Sequence, residues 1–238
     1  MSWLQAQPAA AGRPPRPVLD GLWLFAPNRD SQGGSAWWLE APAAAGASGV
    51  LVDCPAFTEA NVAFLKERSA GLASACIVLT GRDGHGRLRR FQDALGWPVH
   101  VQDQEAYLLP GAQNLQPFAA QAELQPGLRL LWTPGPSPGA AVLLAQAPAA
   151  AASILFTGRL LSPVGPGALA PLRTRRSFHW GRWLRSLEQL RGWLPPEQPQ
   201  WLASGAGLGA LRGEALVPAG RRVLDQLNLA DLAAQRAV

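Results

Sequence analysis

Three short apolar runs, each handing over to residues that do not continue a strand, set the tightest limit on how this chain folds. Gly49-Val50-Leu51-Val52 runs into Asp53, Cys76-Ile77-Val78-Leu79 into Thr80-Gly81, and Ile154-Leu155-Phe156 into Thr157-Gly158. Unbroken apolar runs of this length fit strands buried on both faces, as in a sheet covered by helices. The residue at the end of such a strand is carried to an edge of the sheet. Asp53 is therefore a buried strand's last side chain, placed for a site rather than for the core.

The segments between these runs read as helices and hairpins. Thr58 can cap a helix through about residue 69, with Glu59 in its first turn and Val62 and Leu65 facing inward. A basic helix is predicted over 87–95, with Leu88, Phe91 and Leu95 on one face, and a strand over 98–102. Upstream, a strand over 18–29 and another over 36–40 flank Asp30-Ser31-Gln32-Gly33-Gly34-Ser35, a hairpin signature. Further along, strands are predicted over 128–132, 140–144 and 200–203, a long helix over 178–194, and a closing helix over 221–234. Residues 1–17, with Arg13-Pro14-Pro15-Arg16-Pro17, read as a flexible Pro-rich tail. Two β-rich halves, each with helices, predict an α/β (α+β) protein built as a four-layer αββα sandwich over 18–238.

Composition removes several function classes. Three His and two Cys in 238 residues leave little for a metal site and nothing for a disulfide scaffold. Cys54 and Cys76 sit at opposite ends of neighbouring strands and are expected to be free thiols. A net charge of +5 invites a nucleic-acid partner, yet charged residues make up only 16% of the chain. The excess is almost all Arg, so nucleic acid is not the expected partner. The longest apolar window, 140–156, is broken by Gln146, Pro148 and Ser153, and no spanning helix or targeting segment is expected. A cytoplasmic protein is the reading. The Trp residues at 37, 38, 180, 183, 193 and 201 are core candidates by position. Gly205-Ala206-Gly207-Leu208-Gly209 lacks the spacing of a phosphate-binding fingerprint.

Five strand-end loops, taken in order, carry a more specific signal. They are Asp53, Thr80 to Gly86, Thr133-Pro134-Gly135-Pro136-Ser137-Pro138-Gly139, Thr157-Gly158-Arg159 and Ser204-Gly205-Ala206-Gly207. This series resembles the metallo-β-lactamase superfamily over roughly 18–209. That family ends a strand with an acid, follows the next strand with T-H-x-H-x-D-H, and completes its site with a T-P-G-H turn, a T-G-D triplet and a late glycine-histidine loop. The resemblance implies an αββα sandwich and metal-dependent hydrolysis. It also resembles a subgroup associated with cyanobacteria and plastids.

The ligand positions implied by the resemblance are altered throughout. Gly81 and Asp83 stand at the first two His positions, His85 at the Asp, and Gly86 at the following His. Pro136 replaces the turn's His, Arg159 the bridging Asp, and Ala206 the last His. A dinuclear centre needs several imidazoles and bridging carboxylate oxygens, and a fixed guanidinium in their place repels cations. The vestigial site is thus Asp53, Gly81, Asp83, His85, Pro136, Arg159 and Ala206, with no metal, no cofactor and no catalytic residue expected. His100 and His179 are expected in structural roles.

Arg159, helped by Arg82, is expected to neutralise Asp53 and Asp83 and to hold the loops together. A non-catalytic binding or regulatory module is the leading expectation. Arg82, Arg87, Arg159 and Arg175 are candidates for an anionic small molecule or an acidic protein partner; solvated charge on these loops is the plain alternative. The other reading is a hydrolase of esters, thioesters or phosphoesters with a site rebuilt around Asp83 and His85.

Overall fold

The computed structural model describes residues 12–43, 46–146 and 152–235. Most of the expected tail, residues 1–11, and part of the 140–156 window lie outside them. Among the described residues the first sheet holds β1 (Arg16–Leu19), β2 (Leu22–Phe25), β3 (Ala36–Ala43), β4 (Gly46–Val52), β5 (Ser74–Val78), β6 (Val99–Gln102) and β7 (Leu115–Phe118), in chain order. β1 to β4 are antiparallel, and β4 to β7 are parallel. The helices α1 (Glu59–Ser69), α2 (Leu88–Leu95) and α3 (Asp103–Ala106) make the crossovers.

The second sheet is built from β8 (Gln121–Gln125), β9 (Leu128–Trp132), β10 (Ala141–Gln146) and β11 (Ser153–Gly158), with a two-stranded ribbon, β12 (Ser162–Gly165) and β13 (Ala168–Ala170), beside it. Helix α4 (Trp180–Trp193) then crosses over to β14 (Trp201–Ser204), which lies parallel to β11, and β15 (Val217–Pro218) closes the edge. The chain ends in α5 (Gly220–Gln226) and α6 (Leu229–Ala233).

The period-2 alternation of the strands sorts their side chains into three cores. Trp37, Leu39, Val50 and Val52 face Leu128, Leu143, Ile154 and Phe156 between the sheets. Trp38 and Leu51, one position out of phase, face α1 and α2 with Leu65, Leu88 and Phe91. Val142, Leu144 and Leu155 face Trp183, Leu187 and Leu190 of α4. Three cores between four layers make an αββα sandwich. Trp37 clamps the sheets twice: its ring meets Phe156 edge-on at 6.1 Å, and its indole N–H donates to the Ser204 carbonyl at 3.1 Å.

Several boundaries differ from the sequence reading for local reasons. The strand expected over 18–29 is two strands, because Asp20-Gly21 turns the chain back and pairs Leu19 with Leu22. Arg16 and Pro17, placed in the tail, belong to β1. A Pro-containing strand is admitted there because β1 is an edge. The closing helix breaks in two where Asn228 accepts the N–H groups of Ala230 and Asp231 and starts α6 as a new helix. The N-cap at Thr58 is as expected, accepting from Asn61 N at 3.2 Å.

Cys76 pairs in register with Val50, four residues before Cys54, which puts the thiols about 13 Å apart at ~3.3 Å per residue. Both are free. Burial pushes the Cys76 thiol up to about 12 and raises Cys54 as well, so neither is a ready nucleophile. No helix among the described residues is long and apolar enough to cross a membrane.

Gly49 packs under the Trp38 ring, which itself stacks on Trp97 at 5.4 Å, and a Cβ at residue 49 would overlap the indole. Gly49→Ala is expected to lower unfolding free energy by about 1–3 kcal/mol through overpacking. A urea midpoint equal to that of the parent chain would contradict this packing.

Candidate functional site

The strand-end loops converge on one rim because backbone hydrogen bonds lace the strand ends together. Asp53 N–H donates to Val78 O, Ala141 N–H to Thr80 O, Gly205 N–H to Gly158 O and Ser35 N–H to Gly205 O, at 2.8–3.0 Å. A cavity of about 190 Å³ opens there, lined by Asp53, Gly81, Asp83, Pro136 and Arg159, among others. Five of the seven vestigial positions therefore share one cleft. Ala206 lies just behind it, next to the lining residue Gly205; its carbonyl accepts from Ser35 Oγ at 3.0 Å. His85 does not face this cleft. It lines a separate cavity with Arg87, Arg89 and Arg90 beside α2.

Asp53 forms the floor. Its φ is +59°, a left-handed conformation that aims the carboxylate back over the end of β5. Thr80 N–H donates to Oδ1 at 2.8 Å and the Thr80 hydroxyl to Oδ2 at 2.6 Å. Burial, only partly offset by these bonds and by Arg159, pushes the Asp53 carboxyl up to about 6. Gly84 is required above it, since a Cβ at that residue would collide with the carboxylate.

Arg159 spans the cleft. Its Nε meets Asp83 Oδ2 at 3.0 Å, and its Nη2 donates to the carbonyls of Ser31 at 3.0 Å and Gln32 at 3.1 Å. One guanidinium thus joins the loop after β11, the loop after β5 and the turn between β2 and β3. Arg159 pairs with Asp83 directly and acts on Asp53 only through space.

Arg82 was expected to help neutralise these two acids; it is engaged elsewhere, with Glu105 at 3.3 Å. Glu105, absent from the sequence reading, is fully buried in α3. Its Oε1 accepts from Ser137 Oγ at 2.6 Å and Gly139 N–H at 3.1 Å, fixing the Pro/Gly turn against the Arg82 loop. A carboxylate buried this deeply is retained only when paired and hydrogen-bonded, as here.

The remaining basic candidates separate. Arg87 pairs with Asp30 at 3.1 Å on an exposed face outside the cleft. Arg175 lines a second chamber of about 400 Å³ that shares Gln32, Asp83, Pro136, Arg159 and Arg176 with the cleft. His179 caps α4, accepting from Arg182 N–H at 3.2 Å, and His100 sits within β6 opposite Val78. Burial, reinforced by Arg82, drops His85 to about 4, so it is neutral at physiological pH.

Comparison with known structures identifies this architecture. A B3 metallo-β-lactamase with an active-site glutamic acid superposes with a TM-score of 0.61 at 18% identity, covering 95% of this chain and 91% of that one. A protein crystallised in a di-iron-bound form gives 0.55 at 22% identity, covering 80% and 92%. A quorum-quenching N-acyl homoserine lactone lactonase gives 0.53 at 20% identity, covering 77% and 90%. The chain has the metallo-β-lactamase fold. No family profile matches the sequence, and no curated protein does.

The donor set does not fit the metal centre that this fold implies. Both oxygens of Asp53 are hydrogen-bonded by Thr80, an Asp83 oxygen faces a guanidinium, and Gly81, Pro136 and Ala206 bring no ligating side chain. Among the described residues no three His, Cys, Asp or Glu side chains converge as a metal-holding group. Asp83 and His85, the pair considered for a rebuilt centre, line different cavities.

The raised Asp53 pKa has a definite sign in stability. Between about pH 4 and 6 the folded state keeps a proton that the unfolded carboxyl, with its ordinary value of 3.8, has released. This group's contribution is therefore fully present below pH 4 and falls as pH rises through 6. Asp53→Asn, whose Oδ1 still accepts from Thr80 N–H while its Nδ2 donates to the Thr80 hydroxyl oxygen in place of the present bond, is expected to gain up to about 3 kcal/mol relative to the parent across that window. A difference in unfolding free energy that stays flat from pH 4 to 6.5 would contradict the assignment.

Proposed function

We propose that this chain uses the metallo-β-lactamase fold without its metal chemistry, as a non-catalytic binding or regulatory module of the cytoplasm. Its ligand is anionic, either a small molecule or an acidic segment of a partner protein, and it approaches the rim where Arg159 and Arg175 meet. The observation that carries this reading is the position of Arg159. Its guanidinium lies across the cleft against Asp83 and two backbone carbonyls, where a hydrolytic centre of this fold needs bridging anions and cations. Donors aimed at fixed acceptors make a scaffold for holding the loops. They provide no activated water and no nucleophile.

A hydrolase rebuilt around Asp83 and His85 finds no comparable support, since the first is ion-paired with Arg159 and the second faces away. The reading extends neither to nucleic acid nor to a membrane surface. Of the four basic candidates, Arg82, Arg87 and Arg159 each hold an ion pair, and among the described residues Arg175, at the rim beside Arg159, holds none.

The test is to incubate the purified protein with zinc and with ferrous iron, remove free metal, and measure retained metal by mass spectrometry. Hydrolysis of p-nitrophenyl acetate, an acyl thioester and bis-p-nitrophenyl phosphate is followed on the same samples. The expected result is no stoichiometric metal and no rate above the buffer control. Retention of about two metal equivalents with metal-dependent turnover would overturn the proposal.

A further inference from the structure

The chamber outside the cleft has a chemistry of its own. Its floor is Arg159, Asp83 and Pro136; its rim is the segment from Thr174 to Ser177 leading into α4; and its apolar wall is Trp183 and Leu172. Charge there is unbalanced. Arg159 and Asp83 cancel as a pair, while the ion pairs of the described residues include neither Arg175 nor Arg176. Arg176 Nη1 donates only to the neutral Gln32 Oε1, at 3.1 Å, and Arg175 is exposed. Among the described residues, two guanidinium groups that line the chamber have no acidic partner.

Two of the three hydroxyl side chains that line it, those of Thr174 and Ser177, are polarised in the same sense. Ser177 Oγ accepts from Thr174 N–H at 2.8 Å, and Thr174 Oγ1 accepts from Arg176 N–H at 3.2 Å. A hydroxyl already holding a backbone N–H on its oxygen has its own proton left to donate. The two acceptors on the wall, Asp83 and Gln32, already face Arg159 and Arg176. The chamber presents two guanidinium forks and two O–H donors, with an apolar face beside them.

From this donor excess we infer that the chamber binds a phosphomonoester carried on a small apolar body. This deepens the anionic-ligand reading above and rests on it. A phosphomonoester brings close to two negative charges and three acceptor oxygens near neutral pH, matching two guanidinium forks and the hydroxyls. A carboxylate brings one charge and two oxygens and leaves half of the donors without a partner. The volume of about 400 Å³ takes a phosphoryl group and a ring-sized substituent, the latter against Trp183, Leu172 and Pro136.

The experiment is calorimetric titration with phenyl phosphate, benzoate, inorganic phosphate and phenol at low salt, with free phenol assayed afterwards in the phenyl phosphate samples. Phenyl phosphate is expected to bind at least about tenfold tighter than benzoate, phenol not at all, and inorganic phosphate more weakly for want of the apolar wall. The exposed-loop variant R175Q/R176Q is expected to lose roughly tenfold or more, and affinity of the parent chain to fall as salt rises. Benzoate binding as tightly as phenyl phosphate, an unchanged R175Q/R176Q affinity, a salt-independent affinity or no phenyl phosphate binding would each overturn the inference. Binding with phenol release would keep the site and overturn the non-catalytic reading. Absence of binding with absence of release would overturn this inference alone.

Discussion

The rim of this molecule depends on one guanidinium. Three loops that belong to two different sheets end at the same place, and two of them present three oxygens: Asp83 from the loop after β5, and the Ser31 and Gln32 carbonyls from the β2–β3 turn. Arg159, from the loop after β11, reaches all three at 3.0–3.1 Å. Oxygens gathered this closely repel one another unless a cation sits among them, and a planar fork with five N–H donors can satisfy several at once. Here a side chain supplies that positive charge, and the charge is permanently attached to the scaffold.

A second tie repeats the principle one layer away. Glu105 collects Arg82, the Ser137 hydroxyl and the Gly139 N–H, so the Pro/Gly turn and the loop after β5 are held from behind as well. Asp53 has only Thr80 as a direct partner, and burial, which the Thr80 bonds offset only in part, pushes its carboxyl up. The three acids of the region thus have graded environments. One is paired to a guanidinium at the rim, one is buried with a cation and two neutral donors, and one is buried with neutral donors alone. The cleft and the adjoining chamber share Asp83, Arg159 and Arg176, and Arg175 lines the chamber alone.

Much of the fold was legible because its signals are local. The buried strands β4, β5 and β11 announce themselves as apolar runs, and Thr58 marks the start of α1. The strand-end loops gave the resemblance to the metallo-β-lactamase superfamily, and the shared fold bears that out at the level of architecture. The elements that escaped are those whose stability is borrowed from neighbours. β7 and β8 are edge strands, Pro-containing or polar, and carry no alternation to read. The turn at Asp20-Gly21 and the new cap at Asn228 were visible as residue types but were overridden by the apolar pattern around them. In the site, positions replaced in the family motif could be named one by one. Partners could not, because ion pairing depends on distances across the chain: Arg159 and Asp83 lie 76 residues apart by number and 3.0 Å apart in space. Glu105 carried no signal of the kind that singled out Asp53: the strand before it, Val99-His100-Val101-Gln102, is not an apolar run, and the acid directly after that strand is Asp103.

The most direct test of this account is a double-mutant cycle on stability with Arg159→Met, Asp83→Asn and the double variant, measured by urea unfolding at neutral pH. A guanidinium that holds the rim through Asp83 predicts a favourable coupling of about 0.5–2 kcal/mol that shrinks as salt is raised. Strictly additive single variants, with no coupling at low salt, would contradict it.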